Sequence, residues 1–314
     1  MPTVDLRHLA VAIACALSLP QLRPQSQSRN ALARPTAVAT PRYLRSYKIP
    51  GSNLSPAIVE GPDHNLWFAE NNAIARMTPT GKFSHFKALR QNQGLAVSSD
   101  RAIWFLCANS YEQICTMTKD GKLAVLQGYA YLFGAFALGS DRNLWSYGTY
   151  FQAVVGKVTP SGSITYYDVP SKGRLQGLTA GKKGYLWFTD YLKNKVGSIT
   201  TSGNIREYTL HVKNGLPGPL TLGPDGNIWV GPEAYEKLIR VAPDGSQRVY
   251  PTQYQASNLV TGHAPYIYDV QETGQIVQFD VRTGKHSVTW PPKNFSCDIS
   301  SAAVGPDGNL WTTC

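Results

Sequence analysis

Gly223-Pro224-Asp225-Gly226-Asn227-Ile228-Trp229 joins a glycine-rich turn to an apolar strand centred on tryptophan, and the same grammar returns along the chain. Close copies stand at Gly61-Pro62-Asp63-His64-Asn65-Leu66-Trp67 and Gly305-Pro306-Asp307-Gly308-Asn309-Leu310-Trp311. Looser copies begin at Ser98, Gly139, Gly181 and Gly262. Successive first positions lie 37 to 43 residues apart, a spacing at which one repeat makes one blade of a propeller.

Residues 175–217 show the repeat most clearly. Gly177-Leu178-Thr179-Ala180 enters a tight turn, a second strand over 185–190 carries Trp187, and strands over 195–200 and 205–210 follow around a Ser-Gly turn. Alternating apolar residues, β-branched and aromatic enrichment and frequent turn dipeptides are all-β signals, and no stretch has a helical period. The sequence therefore predicts a seven-bladed β-propeller of four-stranded antiparallel blades. Trp67, Trp104, Trp145, Trp187, Trp229 and Trp311 are expected to fill the spaces between blades rather than stack on a ligand.

The seventh repeat stops at Cys314, after its second strand. Arg45-Ser46-Tyr47-Lys48-Ile49-Pro50 matches the fourth-strand segment Thr165-Tyr166-Tyr167-Asp168-Val169-Pro170, and Val38-Ala39-Thr40-Pro41 resembles Lys157-Val158-Thr159-Pro160 before it. One or two N-terminal strands should thus complete the C-terminal blade and remove an open sheet edge. A premature end of the chain is the bland alternative.

Residues 1–20 read as a secretory signal: Arg7 and His8 precede an eleven-residue apolar run too short to span a membrane. Cys15 after Ala14 hints at lipidation. Residues 21–36 are a Pro-, Gln-, Ser- and Arg-rich linker, leaving 37–314 as the propeller domain. A secreted or periplasmic monomer without a transmembrane segment is expected. Of the net charge of +10, the first 42 residues supply four; the rest is scattered through the repeats without a basic run, which argues against nucleic acid. Cys107 with Cys115, and Cys297 with Cys314, are local enough for two disulfides; free buried thiols are the alternative. No CxxC pair, GxSxG elbow, P-loop or HExxH is present. Pro-Asp-Gly is a turn sequence before it is a calcium loop.

Gly61-Pro62-Asp63-His64-Asn65-Leu66-Trp67-Phe68-Ala69-Glu70, Asn194-Lys195-Val196-Gly197-Ser198-Ile199-Thr200 and Ile205-Arg206-Glu207-Tyr208 resemble the virginiamycin B (streptogramin B) lyase family over residues 43–314. The resemblance implies a seven-bladed propeller that linearises a cyclic depsipeptide by Mg-assisted elimination, using histidines and glutamates at one mouth of the ring. The match is incomplete where that chemistry resides. The family's Pro-His-Ala-Ile-Thr corresponds to Ala256-Ser257-Asn258-Leu259-Val260, and Glu-Pro-His-Gly-Ile to Asp298-Ile299-Ser300-Ser301-Ala302. Ser257 and Ser300 replace the histidines, Asp298 keeps an acid, and Pro56 stands in place of a tyrosine. The chain ends before a further glutamate of the pattern.

Residues preceding the first strand and following the second strand of each blade should open on one face. They include Gln93, Gln176, Asp190, Ser257 and Ser300 as a ligand-binding mouth. Glu70 and Asp298, from adjacent blades, are the acids placed to hold Mg if the chain is a lyase; solvated loop acids are the simpler account. With His211, in a loop running toward the same mouth, they complete the catalytic candidates. No cofactor is otherwise implied. The sequence favours a ligand-binding or interaction propeller taking a small molecule or peptide. A Mg-dependent carbon–oxygen lyase, a lactonase-like or quinoprotein-like enzyme on the same ring, and a structural surface propeller are the alternatives.

Overall fold

The computed structural model describes residues 13–18, 42–49, 54–108, 112–126, 131–132, 134, 136–148, 152–291, 293 and 298–314. Every regular element in them is a strand. After β1 (Ile13–Ser18) and β2 (Arg42–Lys48), the first blade contains β3 (Leu54–Glu60), β4 (Leu66–Glu70), β5 (Ala73–Met77) and β6 (Phe83–Lys87). The second holds β7 (Arg90–Val97), β8 (Ile103–Ala108), β9 (Glu112–Met117) and β10 (Leu123–Val125). The third holds β11 (Ala137–Leu138), β12 (Leu144–Gly148), β13 (Val154–Val158) and β14 (Ile164–Asp168). The fourth holds β15 (Leu175–Ala180), β16 (Tyr185–Asp190), β17 (Lys195–Thr200) and β18 (Ile205–Thr209). The fifth holds β19 (Pro217–Leu222), β20 (Ile228–Pro232), β21 (Lys237–Val241) and β22 (Gln247–Pro251). The sixth holds β23 (Leu259–Thr261), β24 (Tyr266–Val270), β25 (Ile276–Asp280) and β26 (His286–Thr289).

The expectation of seven like blades is corrected to six blades, each built of four consecutive strands. The last repeat supplies only β27 (Ser301–Val304) and β28 (Leu310–Thr313), whose sheet continues through β1 to β2. The outer strand is the expected one, but the strand beside β28 is Ile13–Ser18, with Ala16 opposite Trp311 and Leu17 opposite Leu310. Val38 to Pro41 lies outside the described residues. An interior strand bonds on both edges, and Pro41 lacks the N–H for that, whereas the run from Ile13 to Ser18 offers every donor. The leader and linker calls, 1–20 and 21–36, otherwise fall outside the described residues. First strands touch their neighbours in a circuit from β3 through β7, β11, β15, β19 and β23 to β27, which meets β3 again.

The repeated turn has a physical reason. Asp63 Oδ1 accepts the Trp67 indole N–H at 2.8 Å while its Oδ2 accepts from Asn65 Nδ2 at 2.8 Å and from Arg76 at 3.1 Å. Asp225 does the same for Trp229, Asn227 and Arg240, and Asp141 and Asp307 bond the corresponding tryptophan and asparagine. One carboxylate thus closes the turn and satisfies a buried indole. Glycine opens the motif because a Cβ at position 61 would collide with the Trp67 ring. The second repeat departs from this: Ser98 replaces that glycine and takes the Asp100 carboxylate, Ala102 replaces the asparagine, and among the described residues the buried Trp104 N–H has no hydrogen-bond partner. Trp104→Phe is therefore expected to cost about 1–2 kcal/mol less than Trp67→Phe in urea unfolding, because only the latter breaks a bond. Equal costs at both sites would overturn this account.

Cys107 and Cys115 form a disulfide across the β8–β9 hairpin, with Cα atoms 5.9 Å apart. Cys314 is also disulfide-bonded; Cys297 lies outside the described residues. Among the described residues, no helix is long and apolar enough to cross a membrane.

Candidate functional site

In each antiparallel blade the start of the first strand lies beside the end of the second, as with Leu175 opposite Asp190 and Leu54 opposite Glu70. These ends and their loops define one face of the ring, the mouth. Of the exposed large apolar side chains, Tyr131, Leu192, Tyr235 and Trp290 stand on its loops, and Trp290 is 63% exposed with Tyr254 edge-on beside it.

Several sequence candidates are spent on holding these loops. Asp190, fully buried, accepts from the Ser171 hydroxyl at 2.5 Å and from the backbone N–H of Arg174 and Lys193 at 3.0 and 3.2 Å. The Ser257 N–H donates to Asp269 at 2.9 Å, and its hydroxyl oxygen accepts from Asn258 Nδ2 at 3.3 Å. The Ser300 hydroxyl lies 3.3 Å from the Thr313 carbonyl and 3.2 Å from its Oγ1. Gln93 lies on β7 opposite Leu106, its side chain outside the described residues. His211 is exposed and its backbone N–H donates to Gln247 on the outer strand β22.

Glu70 is buried at the end of β4, with its Oε2 3.2 Å from Nδ1 of His85 on the outer strand β6. Asp298 is exposed ahead of β27. Among the described residues, no group of three or more His, Cys, Asp and Glu side chains is placed to hold a metal ion.

Gln176 is brought into a different constellation. Its Nε2 donates to Glu233 Oε1 at 2.5 Å, from β15 to the residue after β20. Its carbonyl accepts the Tyr147 hydroxyl of β12, again at 2.5 Å. Three consecutive blades are thus linked. Glu233 lies over the backbone of Gly218, where a Cβ would strike the carboxylate. Burial raises the Glu233 carboxyl against the pull of nearby Arg174 and pushes the Tyr147 phenol up to about 12.

Sequence reading also missed Asp269. It is buried on β24, accepts from Ser257, Asn258 and Gln271, and burial pushes its carboxyl up to about 7. The available signal was its place in the repeat: one residue after Tyr268, where other blades carry Phe68, Phe105 or Phe188 after tryptophan.

Residues 90–264 match the model of the virginiamycin B lyase family, more than half of the chain. The chain belongs to the virginiamycin B lyase family. A family relative, the virginiamycin B lyase of Nocardia farcinica, is 24% identical over 179 residues, a match covering 55% of this chain and 62% of that protein. Among solved structures, a streptogramin B lyase superposes with a TM-score of 0.73 at 24% identity, covering 85% of this chain and 94% of the other. Virginiamycin B lyase from Staphylococcus aureus gives 0.70 at 21% identity, covering 82% and 93%. At such identities these structures establish the fold. Within the virginiamycin B lyase fold, the link from Tyr147 through Gln176 to Glu233 belongs to the third, fourth and fifth blades.

Proposed function

We propose that this chain is a virginiamycin B lyase-like propeller that binds a small molecule or peptide at its mouth without turning it over. The composite sheet of β27, β28, β1 and β2 serves in this reading as a seventh blade. The observation that carries it is the pair Ser257 and Ser300: where the family resemblance calls for histidines, the chain has hydroxyls already engaged by Asn258 and Thr313. A serine without a base of its own does not abstract a proton near neutral pH. The exposed aromatic side chains on the mouth support binding over a role as a plain spacer. An oxidising, extracytoplasmic setting belongs to the same proposal and is supported by the disulfides at Cys107–Cys115 and at Cys314.

The test is ring-opening of a streptogramin B antibiotic by the purified chain, followed chromatographically with Mg2+ and again with chelator. The expected result is no opening above the buffer rate in either condition. Chelator-sensitive opening would instead establish the Mg-dependent lyase, and substitution of Glu70, His211 and Asp298 in turn would locate its replacement groups.

A further inference from the structure

Arg174 stands at the entry to β15, between Tyr147 of the third blade and Glu233 of the fifth. Its backbone is fixed on both sides: its N–H donates to buried Asp190, and its carbonyl accepts from Tyr191 N–H at 2.8 Å. The side chain is exposed and, among the described residues, makes no hydrogen bond or ion pair within 4.0 Å. Glu233 is held just as firmly, by Gln176 on Oε1 and by the bare backbone of Gly218, whose carbonyl is itself fixed by Thr189 at 2.8 Å. Arg174 is near enough to attract both Glu233 and the Tyr147 phenol, yet closes on neither.

Two opposite charges at the mouth, each carried on a fixed backbone and not closed on one another, are placed to receive a ligand that carries both complements. We infer that the mouth between the third and fifth blades binds an α-amino acid head group, with the carboxylate on Arg174 and the ammonium on Glu233 Oε2. The planar guanidinium suits a carboxylate through two parallel N–H bonds. The half-buried carboxylate suits an ammonium better than a neutral donor, because only a charge offsets its lost solvation. The Tyr147 hydroxyl, committed to the Gln176 carbonyl, keeps that strand in register. The inference deepens the binding reading of the mouth and rests on it.

The full chain is titrated by calorimetry and by thermal unfolding with the common L-amino acids at about 10 mM, where a millimolar ligand still gives a readable stabilisation. Propionate, ethylamine and N-acetylalanine amide serve as controls lacking one or both charges. The expected result is binding by at least one amino acid and by none of the controls. Arg174→Ala and Glu233→Gln should each weaken it by roughly tenfold or more, with Arg174→Lys retaining part of the affinity. Unliganded Arg174→Ala should unfold within about 2 °C of the parent, since it breaks no described bond. The inference is overturned if no amino acid binds, if the amide control binds equally well, or if affinity survives both charge-removing substitutions. Ring-opening activity would overturn the absence of turnover without touching this result, so the two readings fail separately.

Discussion

Removal of residues 1–20 is expected to lower the thermal unfolding midpoint by roughly 10 °C or more and to make the protein self-associate. In the composite sheet β1 is interior: Ile13 to Ser18 pair with β2 on one side, and Cys15, Ala16 and Leu17 pair with Thr312, Trp311 and Leu310 on the other. Without it, β28 and β2 each lose a partner, and β28 presents an unpaired edge beside Trp311, which is only 1% exposed in the closed ring. Differential scanning calorimetry of the full chain and of residues 21–314, with light scattering, measures both effects. A synthetic peptide covering residues 10–20 should restore part of the lost stability when added in trans, even if the shortened chain folds poorly. The competing outcome has an equally definite meaning. If the shortened chain unfolds at the parent temperature and the peptide does nothing, the slot is filled by the stretch around Val38 to Pro41. The first twenty residues would then act only as a leader.

The repeat itself was legible because its signals are short-range. Asp63, Asn65 and Trp67 fall within five residues, and their hydrogen bonds are made within the turn that spaces them. The same holds at Asp225 and Asp307. Closure from the N-terminus was also readable, because Tyr47 follows the pattern of the fourth strand and stacks on Trp311 at 6.1 Å, as Tyr167 does on Trp145 at 5.6 Å. The identity of β1 was not, since an apolar run of that length suits export and sheet pairing alike. The candidate site was least legible. Tyr147, Gln176 and Glu233 lie on three blades, 29 and 57 residues apart in the pairs that bond, and no local pattern joins them. Asp190 ends β16 and Ser257 precedes β23, but a sequence does not reveal whether a carboxylate or hydroxyl there meets a ligand or its own backbone.

Asp269 gives the second large effect, and its sign is opposite to that of the turn aspartates. Asp63 and Asp225 are held below the ordinary carboxylate value by hydrogen bonds that outweigh their burial. Their contribution is present above the unfolded pKa and is lost as pH falls through the folded one. Asp269 is pushed up to about 7 because burial outweighs its bonds from Ser257, Asn258 and Gln271. The folded chain therefore keeps a proton that the unfolded chain releases near pH 4. Its contribution is fully present below that value, declines as pH rises, and is gone above about pH 7. The span corresponds to an upper bound on the order of 4 kcal/mol. Urea unfolding between pH 4 and 8 should show this decline in the parent and a much flatter profile in Asp269→Asn. The amide keeps an acceptor for the Ser257 and Asn258 N–H groups and has no charge to desolvate, gains that offset the lost bond from Gln271, whose Nε2 stays on the Gln255 carbonyl. At pH 8 the variant is expected to be the more stable protein, and near pH 4 the advantage should vanish or reverse. Parallel profiles would mean that water or a rearranged loop already solvates the Asp269 carboxylate, and that the chain entering β23 is held by other contacts.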